Sequence, residues 1–269
     1  MSEAAVRRLS SRDGTSIAAF RSGSGPPLLL VHGTTADHTT FRVVGPRLEP
    51  HATVTAIDRR GRGASGDTLP YAIEREFEDL ACVAEALAAE SGAPIPVLGH
   101  SYGGRCALGA ARLTGSIGQV ICYEGAPAPP GLSYHATGLE RRLHERLAAD
   151  DRDGLLATFM TEVVGVTADE LDAFRADPIW PVRAAAAGTI LRELDGERAA
   201  AASLAALGAV RQPVLQLLGS ASLPIFRQAT VALDAILADS RIVEIAGAKH
   251  AAQHTHPDAV VEAVLAFLG

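Results

Sequence analysis

Short apolar runs recur along this chain at intervals too long for hairpins. They are 27-PLLLV-31, 54-VTAI-57, 94-PIPVL-98, 119-QVICY-123, 213-PVLQLL-218 and 241-RIVEI-245. Near-continuous apolar runs of this length suit strands buried on both faces of a parallel sheet. Upstream, residues 6–10 and 15–20 flank Asp13-Gly14, a dipeptide that favours a tight turn between antiparallel strands. Most of the later runs are separated by helical periodicity. Residues 73–90 place Phe77, Leu80, Ala81, Ala84 and Leu87 on one face. Residues 102–113 read as a helix of small residues able to pack closely on a sheet. Residues 226–238 and 257–268 read as further helices, the last with Pro257 in its first turn. The alternation predicts an α/β fold with right-handed crossovers.

Residues 132–206 break that rhythm. They are rich in Ala and Arg, and no stretch alternates like a strand. The runs 184-AAAAG-188 and 199-AAAASLAAL-207 read as helices. The expected organisation is a core made of residues 1–131 and 207–269, with residues 132–206 inserted as a helical cap.

Composition narrows the class. Of 269 residues, 48% are hydrophobic and 20% charged, enough to build a packed core. The net charge of −7 and the lack of a basic block argue against a nucleic-acid partner. Cys82, Cys106 and Cys122 are odd in number and widely spaced, which predicts free thiols and no zinc cluster. The opening MSEAAVRRLSSRDG lacks the apolar stretch of a secretory signal, and no run is long enough for a membrane span. A cytoplasmic protein with no membrane partner is expected; a homodimer is compatible with the sequence.

The chemistry concentrates at 97-VLGHSYGGRCALGAARL-113. A serine nucleophile needs a base within reach and must stand above the sheet. A sharp strand-to-helix turn with small residues two before and two after the serine provides that exposure. Gly99, Ser101 and Gly103 fit, between the run 94–98 and the helix 102–113. A tetrahedral oxyanion then needs two fixed donors. The turn offers the Tyr102 N–H, and the loop His32-Gly33-Thr34-Thr35 offers the Thr34 N–H. His32 reads as a structural residue bonding that loop.

The order of these parts resembles the α/β-hydrolase superfamily. It runs from a hairpin through a His-Gly loop, D-x-R-G-x-G-x-S from Asp58 to Ser65, G-x-S-x-G and a cap to a late histidine. More narrowly it resembles the branch of esterases, peroxidase-like enzymes and epoxide-hydrolase-like enzymes with a DRRGRGxS loop. The likeness covers residues 5 to 269, with the cap matching least. It implies an eight-stranded, mostly parallel sheet with helices on both faces and the site at the strands' carboxyl ends. It also implies that His250, between the last strand and the last helix, is the general base.

The acid departs from that pattern. The superfamily usually places an aspartate after the seventh strand, but that turn reads Gly219-Ser220-Ala221-Ser222-Leu223-Pro224, with Ser222 at the expected place. Glu124, at the end of 119-QVICY-123, is the substitute, since some lipases of the superfamily take their acid from this strand. Two other arrangements stay open: a structural Glu124 holding loop N–H groups, and a Ser–His dyad with Ser222 or water on the imidazole.

Other motifs carry less. Gly61 to Gly66 fits G-x-G-x-x-G, but no helix starts at its last glycine, so no dinucleotide cofactor is expected. Asp58, Arg59, Arg60 and Arg62 are expected to form a surface-loop ion-pair network. His250, His254 and His256 lack acidic partners at ligand spacing, so no metal is expected, and His254 and His256 read as solvated or helix-entry residues. Phe159, Met160 and Trp180, with Phe174 and Ile179, are candidates to line an apolar pocket for a small-molecule substrate. The function expected is a serine hydrolase cleaving a carboxylic ester or related acyl bond of a small, fairly apolar molecule through an acyl-enzyme on Ser101. The alternatives are a cofactor-free lyase, cyclase or dioxygenase using His250 as base, and a ligand-binding relative without turnover.

Overall fold

A strand buried on both faces can satisfy its backbone only against neighbouring strands, and the apolar runs pair accordingly. The computed structural model describes residues 6–269; residues 1–5, assigned above to the core segment, lie outside the described residues. The strands are β1 (Val6–Ser10), β2 (Ser16–Gly23), β3 (Pro27–Val31), β4 (Thr53–Ile57), β5 (Ile95–His100), β6 (Ile117–Tyr123), β7 (Val214–Gly219) and β8 (Ser240–Ile245). They form one eight-stranded sheet in the order β1-β2-β4-β3-β5-β6-β7-β8. Only β2 pairs antiparallel, with β1 and with β4; the other pairings are parallel.

Alternate residues of a strand face opposite sides, so each inner strand feeds two cores. Leu29, Val31 and Val97 face one layer, where helices Ile73–Ser91 and Tyr102–Ala111 pack. Leu28, Leu30 and Leu98 face the other, covered by Val260 and Val264 of helix Pro257–Leu268. The expected face of Ile73–Ser91 is buried as anticipated. The helix expected at 226–238 instead spans Pro224–Asp234. Proline needs no N–H partner in a first turn, so Pro224 starts the helix early.

Between β6 and β7 the described residues form helices and turns without a strand. Leu139, Leu143, Leu155, Leu156 and Ile190 give this region its own apolar core. The alanine run 199–207 is not one helix, contrary to expectation. Ser203 is extended, at φ −66° and ψ 157°, and its hydroxyl accepts from Ala206 N, which restarts the chain as the short helix Leu204–Leu207. No described helix is long and apolar enough to cross a membrane.

The arginine loop corrects the sequence reading most. Asp58, Arg59, Arg60 and Arg62 are buried, not on a surface loop. Arg59 donates to both carboxylate oxygens of Glu76, at 3.1 and 2.8 Å, and also bonds Glu193. Arg62 shares Glu193. Arg60 grips Asp79 with two bonds of 2.7 Å. Glu193 and Glu197 lie on helix Ile190–Glu197, and Glu197 pairs with Arg105 at 2.8 Å. Ionic contacts between buried groups therefore dock this helix on the core.

Removing one partner of a buried pair leaves a charge uncompensated, at a cost of about 3–5 kcal/mol. Glu193→Ala is expected to lower urea-unfolding stability by about that much; a loss under about 1 kcal/mol contradicts the docking role. Burial works to raise the Glu76 pKa, but Arg59 and Arg62 overcome it and hold it at about 2, against an ordinary 4.5. The stability Glu76 contributes is therefore present above pH 4.5 and is lost as pH falls through 2. Glu76→Gln should flatten that part of the acid-unfolding profile.

Candidate active site

β5 ends at His100 and the next helix starts at Tyr102, so Ser101 alone turns the chain. It does so at φ 56° and ψ −126°, a conformation that L residues rarely hold. The flanking glycines make that turn possible. A Cβ on Gly99 would stand 2.4 Å from Gly103 O, and one on Gly103 would stand 2.4 Å from both Val31 O and His32 O. Gly33 brings the neighbouring loop equally close, since a Cβ there would lie 2.9 Å from Ser101 Cβ.

Two backbone donors flank the serine. Among the described residues, neither the Thr34 N–H nor the Tyr102 N–H has a hydrogen-bond acceptor. Thr34 and Tyr102 border a small recess that Ser101, Glu124 and His250 also line. His32 fixes the loop: its Nε2 accepts from Arg59 N at 2.9 Å, and its Nδ1 donates to Gly33 O at 2.8 Å. Burial and the nearby Arg59 charge hold its pKa well below the ordinary value, which suits a neutral structural residue.

His250 is buried, and its Nδ1 lies 2.6 Å from Glu124 Oε2. A carboxylate only accepts, so Nδ1 carries the hydrogen, and in the neutral ring Nε2 is the acceptor. The other carboxylate oxygen, Oε1, accepts from Gly219 N at 2.7 Å and from the Ser222 hydroxyl at 2.6 Å. Ser222 thus bonds the glutamate and not the imidazole. Glu124 takes a left-handed φ of 47° just past β6, which turns its side chain across to the ends of β7 and β8.

Sequence reasoning missed what holds the histidine loop. The Tyr123 hydroxyl donates to Lys249 O and accepts from Ala252 N at 3.1 Å. His100 Nε2 donates to His250 O at 2.7 Å, and Phe226 stacks on the imidazole at 4.4 Å. Desolvation and the neighbouring His250 push the His100 pKa well down, consistent with this neutral donor role. The signal was adjacency, as His100 precedes Ser101 and Tyr123 precedes Glu124.

Ser101 and His250 open on a cavity of about 450 Å³, within the small-molecule range. Phe159, Met160, Phe174 and Ile179 line it. Trp180 does not: it is buried among the helices between β6 and β7, where Asp153 Oδ1, at 2.6 Å, supplies the acceptor that a buried indole N–H needs. His254 also departs from expectation. It lines the cavity instead of facing solvent, and burial, with help from Arg183 and Arg42, lowers its pKa to about 4. His256 lines the cavity and caps helix Pro257–Leu268. Asp37, His38 and Asp58 offer ligand atoms within 4.8 Å of one another. Those oxygens are already engaged: Asp58 accepts from His38 N, His38 Nδ1 and Ala64 N, each at 2.8 Å, and Asp37 accepts from Thr39 N at 2.9 Å.

Residues 28–263 match the alpha/beta hydrolase family. An alpha/beta hydrolase from Sphaerobacter thermophilus is similar in structure, with a TM-score of 0.83 and 33% identity over 98% of this chain and 100% of that one. The 2-(acetamidomethylene)succinate hydrolase of Mesorhizobium japonicum is 25% identical over 261 residues, 91% of this chain and 89% of its own. The N-formylmaleamate deformylase of Pseudomonas putida is 28% identical over 158 residues, 55% of this chain. That match spans 58% of the deformylase's length.

The turn around Ser101 tolerates no added volume. Gly103→Ala forces a methyl into two backbone carbonyls and is expected to cost about 3 kcal/mol or more in thermal unfolding. Gly115→Ala, where nothing lies within 4 Å of the new carbon, should stay within about 0.5 kcal/mol of wild type. Equal effects at the two positions contradict this packing.

Proposed function

The chain belongs to the alpha/beta hydrolase family, and on that premise we propose that it cleaves an ester or related acyl bond of a small molecule through an acyl-enzyme on Ser101. The observation that carries the reading is the 2.6 Å contact between His250 Nδ1 and Glu124 Oε2, in a site that Ser101 shares. In this mechanism Ser101 Oγ attacks the acyl carbon and passes its proton to His250 Nε2. Glu124 orients the ring and stabilises the imidazolium, without itself taking the proton. The Thr34 and Tyr102 N–H groups receive the oxyanion. The imidazolium then protonates the leaving group, and water, deprotonated by the same nitrogen, releases the acyl group.

The similar proteins support hydrolysis. Two are named for an N-formyl and an acetamido compound, so acyl bonds to nitrogen fall within the proposed class alongside esters. The cofactor-free alternative drew its interest from the displaced acid, and a carboxylate on the imidazole speaks against that motive.

A fluorophosphonate probe should label the wild type at Ser101 and leave Ser101→Ala unlabelled; an unlabelled wild type overturns the reading. With a 4-nitrophenyl ester as substrate, Glu124→Gln should lower kcat by about 10³–10⁴. Ser222→Ala, which removes one of three donors to the carboxylate, should cost about tenfold, near 1.4 kcal/mol of barrier. A Glu124→Gln enzyme within tenfold of wild type excludes the carboxylate from the mechanism.

A further inference from the structure

The charges lining the Ser101 cavity do not balance. Its cations are Arg42, Arg183 and Lys249, and its carboxylates are Glu170 and Asp177. Lys249 pairs with Glu170 at 2.7 Å, and Arg42 pairs with Asp177 at 2.9 Å. Arg183 has no carboxylate within ion-pair distance among the described residues; Asp37 and Asp177 attract it only from farther away. Three cations against two carboxylates leave one positive charge in the wall, and it belongs to Arg183.

Arg183 comes from cap helix Trp180–Ala186, and its Nη2 donates to Thr40 Oγ1 at 3.0 Å. Its Nε is shielded from solvent and has no acceptor. Among the described residues, Thr40 is the one acceptor for a group that carries five N–H donors. The Phe174 ring lies 5.5 Å from the guanidinium carbon, a contact that orients the charge without neutralising it. The Thr40 hydroxyl accepts from Arg183, so its own hydrogen faces His254 Nε2, at 3.4 Å. The His254 ring hydrogen is then on Nδ1, which is also buried without a partner.

A half-buried guanidinium that forms no ion pair and leaves a shielded Nε–H without an acceptor is unfavourable. Burial is the main cause that brings the Arg183 pKa down to about 10, though still charged at neutral pH. An anion on the ligand would offset that cost. A single positive charge with a forked set of donors matches one planar carboxylate better than a doubly charged phosphate.

We propose that Arg183, with the Nδ1–H of His254 beside it, is a carboxylate subsite, so that the substrate is an acyl compound bearing a second, free carboxylate. The inference takes its reaction from the acyl transfer proposed above and its substrate class from the surroundings of Arg183. It replaces the apolar substrate suggested by the cap's sequence.

Two esters of equal acyl length test it: 4-nitrophenyl hydrogen glutarate, which carries the free carboxylate, and neutral 4-nitrophenyl valerate. Wild type should favour the glutarate ester in kcat/KM by about tenfold or more. In Arg183→Met the glutarate-to-valerate ratio should fall about 10- to 100-fold, the range of a hydrogen bond to a charged group. The fall should come through KM, and Arg183→Lys should recover part of it. A purely structural arginine would depress both esters together and leave the ratio unchanged, which overturns the proposal, as does a wild-type ratio at or below one. Should Arg183→Met fail to fold, inhibition of wild-type valerate hydrolysis decides. Inhibition by glutarate but not by neutral glutaramide upholds the subsite, and equal inhibition overturns it. Should neither ester turn over and Ser101 stay unlabelled, the acyl-transfer reading falls by itself. Calorimetric titration with glutarate then tests the subsite alone: binding that Arg183→Met abolishes upholds it, and absent or unchanged binding overturns it.

Discussion

One buried carboxylate joins the carboxyl ends of three adjacent strands. Glu124 stands just past β6 and accepts from the Gly219 N–H at the end of β7, from Ser222 in the turn beyond it, and from His250 in the loop after β8. A buried charge is tolerable only when its lone pairs are satisfied, and here both oxygens are. The order β6-β7-β8 makes the arrangement geometrically available. An acid one strand nearer the nucleophile can still reach the histidine, provided that the backbone turns back at Glu124. The left-handed φ at that residue accomplishes the turn and stores local strain at the site.

A second set of charges, buried except for Glu197, holds helix Ile190–Glu197 on the core. Arg59, Arg62 and Arg105 meet Glu76, Glu193 and Glu197, three cations against three carboxylates. Ion pairs with fixed geometry define one docking position, where an apolar stripe would allow sliding. Arg59 also stacks over the Tyr102 ring, 4.7 Å from its centroid, and its N–H binds His32. Arg59 of the docking network thus touches both segments that carry the backbone donors, the His32 loop and Tyr102. At the cavity wall Arg42 pairs with Asp177 and Lys249 with Glu170, and among the described residues Arg183 forms no ion pair.

Much of this was legible in the residue pattern, because period and punctuation act locally. The apolar runs located six strands, the Asp13-Gly14 turn located the other two, and Gly99 and Gly103 marked the nucleophile turn. The errors fell where distant segments decide. Arg59 and Arg62 look like surface residues until Glu193, more than a hundred positions later, is brought against them. Trp180 looks like a pocket residue until Asp153 supplies an acceptor for its indole. Ser222 looked like a defect in the site because its partner, Glu124, comes from another strand. Ser203 divides an alanine run that propensity alone reads as continuous. His254 and Arg183 carried no local signal, since what distinguishes them is a single ring or guanidinium nitrogen, Nδ1 and Nε, that is buried without a partner among the described residues.

The central claim is that Glu124, and not a residue after β7, holds the imidazole of His250. Proton NMR of protein labelled with ¹⁵N at histidine observes that bond directly. The account predicts a strongly downfield Nδ1–H resonance from His250 that persists in Ser101→Ala and disappears in Glu124→Gln. The same resonance surviving unchanged in Glu124→Gln would contradict it.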